Sequence, residues 1–432
     1  MIEGLHSAGT LATVKHFPGH GNTATDSHTG FPCIYSDYET LKQLELIPFQ
    51  AAIDGGADMV MTAHIQYPQI EKETYLSITT GEQVYLPATM SKTLLTDILR
   101  GDMGFEGVIV SDALDMAAIA DNFTERDTLR LTISAGVDML LLPAVTNTDQ
   151  FRMLQRMMEM AVEMARSGEI GMDRIDDAVR RILTMKKKCG LLAQTDFAVT
   201  EEQAAAAAAG VGSAAHRELA WEIAKQALTL VKNENEAFPI TLQPGDKTLI
   251  LFADSCASRV ATGTLAQQLL AEQGAVPEDA AFTVMTHTRE NGEECVQLAE
   301  QAEHVILVNR VYNTACMDPN TEDGFSTEVF DQIIAARHAE GKPVIVISCQ
   351  LPYDAARFPE ADALLLAYTS SPMRSLPPAS GAGSAYAPNP AAALCACFGT
   401  QEITGRLPVR LPALAADYAM TGESLFVFGG GQ

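Results

Sequence analysis

The stretch Leu11-Ala12-Thr13-Val14-Lys15-His16-Phe17-Pro18-Gly19-His20-Gly21 joins an apolar, β-prone segment to a polar loop that contains proline and glycine. Residues 11–14 predict a buried strand, and the polar cluster begins where that strand ends. Asp26 and His28 follow shortly afterwards. In parallel α/β folds, the loops at the carboxyl ends of the strands carry the chemistry, so this loop is the first candidate for a functional site.

Two further features suggest acid/base and nucleophilic chemistry. A carboxylate such as Asp26 that accepts a hydrogen bond from one nitrogen of His28 leaves the other nitrogen for proton transfer. Separately, the β-branched run 108–110 predicts a buried strand, and Asp112 follows at its carboxyl end, where a side chain reaches the mouth of a barrel. A retaining glycosidase requires a proton donor and a separate carboxylate of this kind.

These motifs resemble those of a known family. The pattern Lys15-His16-Phe17-Pro18-Gly19-His20-Gly21, four residues and then Asp26-Ser27-His28 resembles the signature of bacterial β-N-acetylhexosaminidases of glycoside hydrolase family 3. Residues 107–112 (Gly-Val-Ile-Val-Ser-Asp) are similar to the nucleophile segment of that family, and residues 224–235 resemble the start of its second domain. A departure is Asn22, where relatives usually have Asp.

The resemblance implies a role for each matching residue. Asp112 would be the nucleophile, and His28 the general acid/base with Asp26 as its partner. The family needs neither a metal ion nor an organic cofactor, so neither is expected. The expected substrate-binding residues, which lie at or near the ends of predicted strands, are Lys15, His16, His64 and Met116. For His64, a hydrogen-bonded core histidine is an equally good interpretation.

Other interpretations of these residues remain open. Taken alone, an Asp after a strand, such as Asp112, is more often a turn residue or a helix cap than a nucleophile. His20 fits a structural role in its loop. His16 and His20 are four residues apart, which on a helix would allow both to bind a metal ion. Pro18 and Gly19 lie between them and argue against a helix there.

The strand pattern predicts two domains. Strand candidates at 11–14, 59–62, 108–110 and 139–142 alternate with helix candidates such as 40–54 and 91–100, which is typical of a (β/α) barrel. Further strand candidates at 249–252, 305–308, 344–347 and 364–367 predict a smaller α/β/α sandwich. The predicted boundaries are 1–195 for the barrel, 196–227 for a linker and connecting helix, and 228–432 for the sandwich.

The predicted barrel is short. Family barrels carry a longer segment before the Lys-His motif, whereas only residues 1–14 precede it here. We therefore expect an N-terminally truncated TIM-type (β/α) barrel, of low stability by itself. Its unpaired strand edges would favour self-association.

Composition narrows the choice of partners. The chain has 29 Lys and Arg against 55 Asp and Glu, a net charge of −26, which argues against binding to nucleic acids or anionic membranes. No apolar run is long enough to span a bilayer. The eight cysteines form no Cys-x-x-Cys pair and weakly favour a reducing compartment. Residues 1–4 are no signal peptide, yet exported relatives exist, so the compartment stays open between cytoplasmic and exported.

The sequence therefore predicts an exo-acting β-N-acetylglucosaminidase that cleaves cell-wall or chitin-derived fragments. The preference for the N-acetyl group comes from the resemblance alone. Three alternatives stay open: an N-acetylglucosaminide phosphorylase, a β-glucosidase of the same family, and an inactive remnant that binds carbohydrate or protein.

Overall fold

The structure is a computed structural model that describes residues 1–21, 23, 31–142, 151–193, 198–253, 257–369 and 388–431. The chain separates into two units, residues 1–198 and residues 199–432. No helix within the described ranges is both long and apolar enough to cross a bilayer.

The first unit alternates strands and helices. Its α-helices are α1 (Ile2–Ser7), α2 (Tyr38–Gln43), α3 (Leu46–Asp54), α4 (Ala117–Ala120), α5 (Glu125–Ala135), α6 (Phe151–Ser167) and α7 (Met172–Lys188). A 3₁₀ helix, Ala88–Met90, and a π-helix, Thr93–Asp102, lie between α3 and α4. The strands are β1 (Thr13–Phe17), β2 (Met59–Thr62), β3 (Thr74–Leu76), β4 (Gln83–Tyr85), β5 (Val108–Ala113) and β6 (Met139–Leu141).

Four of these strands form an all-parallel sheet in the order β1-β2-β5-β6, so strands that follow one another along the chain are neighbours. Helices cover one face of this sheet. There, Phe17, Val60 and Ile109 pack with apolar residues of α3 and the π-helix in one core cluster. Consecutive parallel strands with helices on one side are the arrangement of a TIM-type barrel wall. The fold class predicted for this part of the chain is therefore confirmed.

The helix predicted over 40–54 is wrong in one respect, because two helices occupy this segment. Helix α2 ends at Gln43, and Leu44 has the non-helical backbone angles φ −132° and ψ −77°. Pro48 explains the break, since a proline ring inside a helix collides with the carbonyl group four residues earlier, here that of Leu44. Because the helix is interrupted here, Glu45 can lie close to the loop that follows β1.

The first strand also lies further along the chain than predicted. Strand β1 spans Thr13–Phe17, whereas the pattern predicted residues 11–14. His16 therefore belongs to the strand and not to the loop. The next residue, Phe17, pairs with Thr62 of β2, so His16 lies close to the end of β2.

Buried carboxylates secure the amino-terminal edge of this sheet. Asp138, whose side chain is fully buried, accepts hydrogen bonds from Arg100 (2.7 Å), from the Ile109 N–H (2.8 Å) and from Arg174. Asp58 accepts from the ring of His6 (2.7 Å) and the Ala12 N–H (2.9 Å), and pairs with Lys188. These two residues join elements that are distant along the chain.

The second unit contains α8 (Glu201–Gly210), α9 (Ala214–Ala227), α10 (Ala257–Glu272), α11 (Gly292–Gln301), α12 (Ser326–Ala339) and α13 (Pro388–Ala396). Short 3₁₀ helices lie at Thr314–Met317 and Pro352–Ala355. Its strands are β7 (Thr229–Asn233), β8 (Lys247–Phe252), β9 (Ala281–Thr286), β10 (His304–Val311), β11 (Ile345–Gln350), β12 (Ala363–Leu366), β13 (Leu411–Leu414) and β14 (Met420–Phe426). Four of these strands, β7, β9, β13 and β14, have no counterpart among the strands predicted above.

Six of these strands form a sheet in the order β7-β12-β11-β10-β8-β9. All its pairs are parallel except that of β7 with β12. The sheet is buried on both faces: along β8, Ile250 and Phe252 join the core cluster that contains residues of α9, α10 and α13, while Leu249 and Leu251 join the one that contains residues of α11 and α12. This is the predicted α/β/α sandwich.

Helix α9 lies within the segment predicted to connect the domains. Ser213 caps its first turn by accepting a hydrogen bond from the His216 N–H, as serine commonly does at an N-cap. Ala224 on this helix is buried in the sandwich core. The sole tryptophan of the chain, Trp221, packs against the same core.

Candidate active site

Strand pairing brings the candidate residues to one edge of the first sheet. Met61 of β2 pairs with Val110 of β5, so Asp112 emerges beside the end of β2. Phe17 of β1 pairs with Thr62, which places His16 beside the same end. The carboxyl ends of three parallel strands therefore meet, which is where barrel enzymes build their sites.

Asp112 is held by its own main chain and faces a histidine. Its Oδ1 accepts a hydrogen bond from the Ala113 N–H at 2.8 Å. Its Oδ2 lies 3.5 Å from Nε2 of His16. The side chain of Asp112 is 15% exposed and that of His16 is 26% exposed, so both reach solvent at the edge of the sheet. A half-buried carboxylate that is oriented in this way can attack an electrophilic carbon that enters from the solvent side.

His64 occupies a different environment from His16. It is completely buried, and both of its ring nitrogens have partners: Nε2 lies 2.9 Å from the Ala113 carbonyl oxygen, and Nδ1 lies 2.8 Å from Oγ1 of Thr89. Burial lowers the pKa of His64 below its ordinary value, which favours the neutral imidazole. Of the two interpretations of this residue, the hydrogen-bonded core histidine fits these contacts, and a direct contact with substrate does not.

The remaining expected substrate-binding residues differ in exposure. Lys15 is exposed on β1, next to His16. Met116 is 8% exposed and stands at the N-cap of α4. The ring of His20 packs edge-on against that of His16 with 6.0 Å between their centroids. The structure thus groups His16 and His20 near Asp112, while Met116 lies below the surface.

Asp26 and His28 lie outside the described residues, so the proposed acid/base pair has no described geometry. The start of their loop is well defined. The Tyr67 hydroxyl donates to the Gly19 carbonyl oxygen at 2.5 Å, and burial, followed by the charge of Glu45, raises the pKa of Tyr67. Gly19 has φ +141°, and a Cβ atom there would lie 2.6 Å from Cγ of Glu45, so only glycine fits.

Two threonines near the site were not among the predicted residues. Thr62 and Thr89 are both completely buried, and their hydroxyl oxygens lie 2.8 Å apart. The Asp112 N–H donates to Oγ1 of Thr62 at 3.4 Å. Their sequence carries little signal, because buried threonines in and after strands are common. The hydrogen bond from Asp112 to Thr62 and the contact between the two hydroxyl groups show that they adjoin Asp112.

The described residues contain no group of three or more His, Cys, Asp or Glu side chains arranged to hold a metal ion. His16 and His20 lie in and just after a strand, so they do not share a helix face.

Comparison with known proteins identifies the family of the first domain. Residues 1–185 match the model of the glycosyl hydrolase family 3 N terminal domain. Over 235 residues the chain is 36% identical to beta-hexosaminidase A of Pseudoalteromonas piscicida, covering 54% of this chain and 38% of that protein. Over 265 residues it is 29% identical to a beta-N-acetylglucosaminidase/beta-glucosidase of Cellulomonas fimi, covering 61% of this chain and 44% of that protein.

A solved structure shows the same fold. The chain is similar, with a TM-score of 0.70 and 25% identity, to a glycoside hydrolase family 3 beta-N-acetylglucosaminidase from Paenibacillus sp. str. FPU-7. The match covers 94% of this chain and 68% of that protein, whereas the chain spans less than half the length of the two curated relatives. These similarities assign residues 1–185 to the glycosyl hydrolase family 3 N terminal domain.

Proposed function

We propose that this chain is a retaining exo-β-N-acetylglucosaminidase that removes terminal β-linked N-acetylglucosamine from cell-wall (peptidoglycan) or chitin-derived fragments. The observation that carries the proposal is the position of Asp112, a half-buried carboxylate at the carboxyl edge of a barrel-type sheet with His16 at 3.5 Å. The names of the relatives, beta-hexosaminidase and beta-N-acetylglucosaminidase, support the sugar specificity.

The proposed reaction has two steps. In the first, a carboxylate oxygen of Asp112 forms a bond to the anomeric carbon, the bond from that carbon to the leaving oxygen breaks, and protonated His28 gives its proton to that oxygen. In the second, His28 removes a proton from water, the water oxygen attacks the anomeric carbon, and the ester to Asp112 breaks. Asp26 supports the charged form of His28. Lys15 and His16 bind sugar hydroxyls.

The test is release of nitrophenol from 4-nitrophenyl β-N-acetylglucosaminide by the whole chain. We expect Asp112→Ala to abolish the activity and Asp115→Ala, on an exposed position of the same segment, to retain it. A slow fluorinated substrate should leave an adduct on Asp112 that mass spectrometry of peptides locates. Labelling at another carboxylate would refute the assignment of the nucleophile, and no release by any of the three proteins would refute the activity of this chain.

One second function has a specific observation in its favour. The Cellulomonas fimi relative is named both as a beta-N-acetylglucosaminidase and as a beta-glucosidase. The same assay with 4-nitrophenyl β-glucoside separates the two, because a glucosidase would cleave the substrate that lacks the N-acetyl group at least equally well. Adding inorganic phosphate to both assays distinguishes hydrolysis from phosphorolysis, since only a phosphorylase forms a sugar 1-phosphate.

A further inference from the structure

A continuous row of hydrogen bonds links His64 to the main chain on both sides of Asp112. At one end, the Asp112 N–H donates to Oγ1 of Thr62 at 3.4 Å. Oγ1 of Thr62 lies 2.8 Å from Oγ1 of Thr89, which in turn lies 2.8 Å from Nδ1 of His64. At the other end, Nε2 of His64 lies 2.9 Å from the carbonyl oxygen of Ala113. The row thus begins at the amide of Asp112 and ends at the carbonyl group of the following residue, Ala113.

For a neutral His64 ring, which burial favours, the donors and acceptors of this row have one consistent arrangement. A carbonyl oxygen can only accept, so Nε2 of His64 donates to Ala113, and the neutral ring then accepts at Nδ1. The Thr89 hydroxyl donates to Nδ1 and accepts from the Thr62 hydroxyl, which accepts the Asp112 N–H. The Thr89 hydroxyl also lies 2.9 Å from the Ala63 carbonyl oxygen, so its proton is shared between two acceptors. Every polar atom of the row is therefore satisfied, as buried groups require.

Burial separates this row from any bound sugar. Thr62, His64 and Thr89 are each 0% exposed, whereas the Asp112 side chain is partly exposed. The carboxylate itself is tied to the same short segment, because its Oδ1 accepts from the Ala113 N–H. A shift of the Asp112–Ala113 backbone would therefore turn the carboxylate. Buried polar networks that are fully satisfied hold one conformation in this way.

We propose that Thr62, Thr89 and His64 form a positioning unit that fixes the Asp112–Ala113 backbone and thereby aims the Asp112 carboxylate, and that His64 does not bind the sugar. The inference rests on the proposed function only for the role of Asp112 as the nucleophile. The row of hydrogen bonds can be tested without any catalytic assay.

The first test measures the Asp112 amide by NMR in protein labelled with ¹⁵N-aspartate. In Thr62→Val the amide loses its acceptor, and we expect its hydrogen exchange to accelerate about tenfold, the factor that corresponds to one ordinary hydrogen bond. Thr62→Ser keeps the hydroxyl and should restore the slower rate. Thr132→Val is the matched control, because the buried Thr132 hydroxyl in α5 has no hydrogen-bond partner within the described part of the chain. Equal exchange in Thr62→Val and in the unaltered protein would overturn the proposal.

The second test examines His64 directly. Nitrogen-15 spectra of the histidine rings at pH 6 should show one neutral ring with its proton on Nε2, which Thr89→Val perturbs. A charged His64, or a neutral one with the proton on Nδ1, contradicts the proposed arrangement. These measurements stand even if the chain proves unable to cleave the nitrophenyl glycoside, an outcome that would refute the proposed function alone.

The third test separates positioning from substrate binding. In His64→Gln the side-chain amide can replace Nε2 and donate to Ala113, whereas in His64→Asn it can replace only Nδ1. We expect His64→Asn to lower kcat by about tenfold with KM unchanged, and His64→Gln to retain most of kcat. A raised KM with unchanged kcat in both variants would mean that His64 binds the sugar, and the proposal would fall.

Discussion

Nε2 of His16, near the end of β1, lies 3.5 Å from Oδ2 of Asp112, near the end of β5, although β2 runs between these two strands. Neighbouring strands are about 4.8 Å apart, so two side chains must both lean over β2 to meet. This contact brings two residues that are far apart along the chain into one candidate site.

Replacing His16 should weaken catalysis without unfolding the protein. His16→Asn removes the imidazole that faces Asp112, and we expect kcat/KM to fall by about a hundredfold, the usual effect of losing one group that stabilises developing charge. His6→Asn is the matched control, because His6 contacts Asp58 at the opposite, amino-terminal edge of the sheet. Hydrolysis of the nitrophenyl substrate by both variants checks the expectation. Equal losses in the two would show that the His16 contact has no special role.

The hydroxyl of Tyr67 should matter for the loop that begins at Gly19. Tyr67→Phe removes the 2.5 Å hydrogen bond to the Gly19 carbonyl oxygen and changes little else in the buried core. We expect kcat/KM to fall about tenfold. Tyr38→Phe also deletes one hydrogen bond, from a partly buried tyrosine to Asp102, and should leave kcat/KM unchanged. Steady-state kinetics of both variants test this expectation. An unaltered kcat/KM in Tyr67→Phe would argue against a role of the Tyr67–Gly19 hydrogen bond in the site.

Asp138 should be among the most sensitive positions for the stability of the first unit. Asp138→Ala leaves the guanidinium groups of Arg100 and Arg174 without their buried partner, which typically costs about 3–5 kcal/mol of the free energy of unfolding. Glu106→Ala removes a carboxylate that is 85% exposed and pairs with Arg181, and should cost at most about 1 kcal/mol.

Urea titration followed by far-ultraviolet circular dichroism measures both changes at Asp138 and Glu106. Trp221 fluorescence, recorded in the same samples, follows the second unit. Similar midpoints for the two variants would contradict the special role of Asp138.

Asp354 should make the second unit less stable as the pH rises. Complete burial raises the pKa of Asp354 to about 7, against the opposing effect of hydrogen bonds from Ser348 and Asn309. The folded protein therefore keeps a proton that the unfolded chain, with an ordinary carboxyl near pH 4, releases. The contribution of Asp354 to the free energy of unfolding is greatest below about pH 4 and declines until about pH 7. The total decline is about 1.4 kcal/mol for each unit by which the pKa values of the folded and unfolded states differ.

Asp354→Asn provides the test of that pH dependence, because the amide cannot titrate and can still pair with Ser348 and Asn309. Denaturation followed by Trp221 fluorescence at pH 5 and pH 7.5 should show a smaller difference in the variant than in the unaltered protein. Asp246→Asn, at a half-buried residue whose pKa is lowered, is a comparison with the opposite sign. An unchanged pH dependence in Asp354→Asn would assign the effect to other groups.

Local sequence patterns predicted most of the secondary structure of the two main sheets. The apolar runs 59–62 and 108–110 are strands, and strand–helix alternation indicated the barrel-type sheet and the sandwich, because burial of β-branched runs is a local property of the sequence. Strand β9 was not predicted, because its residues are exposed or only partly buried and none is fully buried. Helix 40–54 was predicted as one element because its apolar spacing outweighed Pro48.

The sequence by itself selected the residues that we propose for the chemistry, namely the Lys-His motif, the Asp26–His28 pair and Asp112, since this selection used only residue type and spacing. Only the tertiary structure decided how His16 and His64 differ. Both follow or end strands, yet strand pairing exposes the first beside the carboxylate and encloses the second between Thr89 and Ala113. Burial and hydrogen bonding depend on residues far apart along the chain, so no local pattern of the sequence contains them.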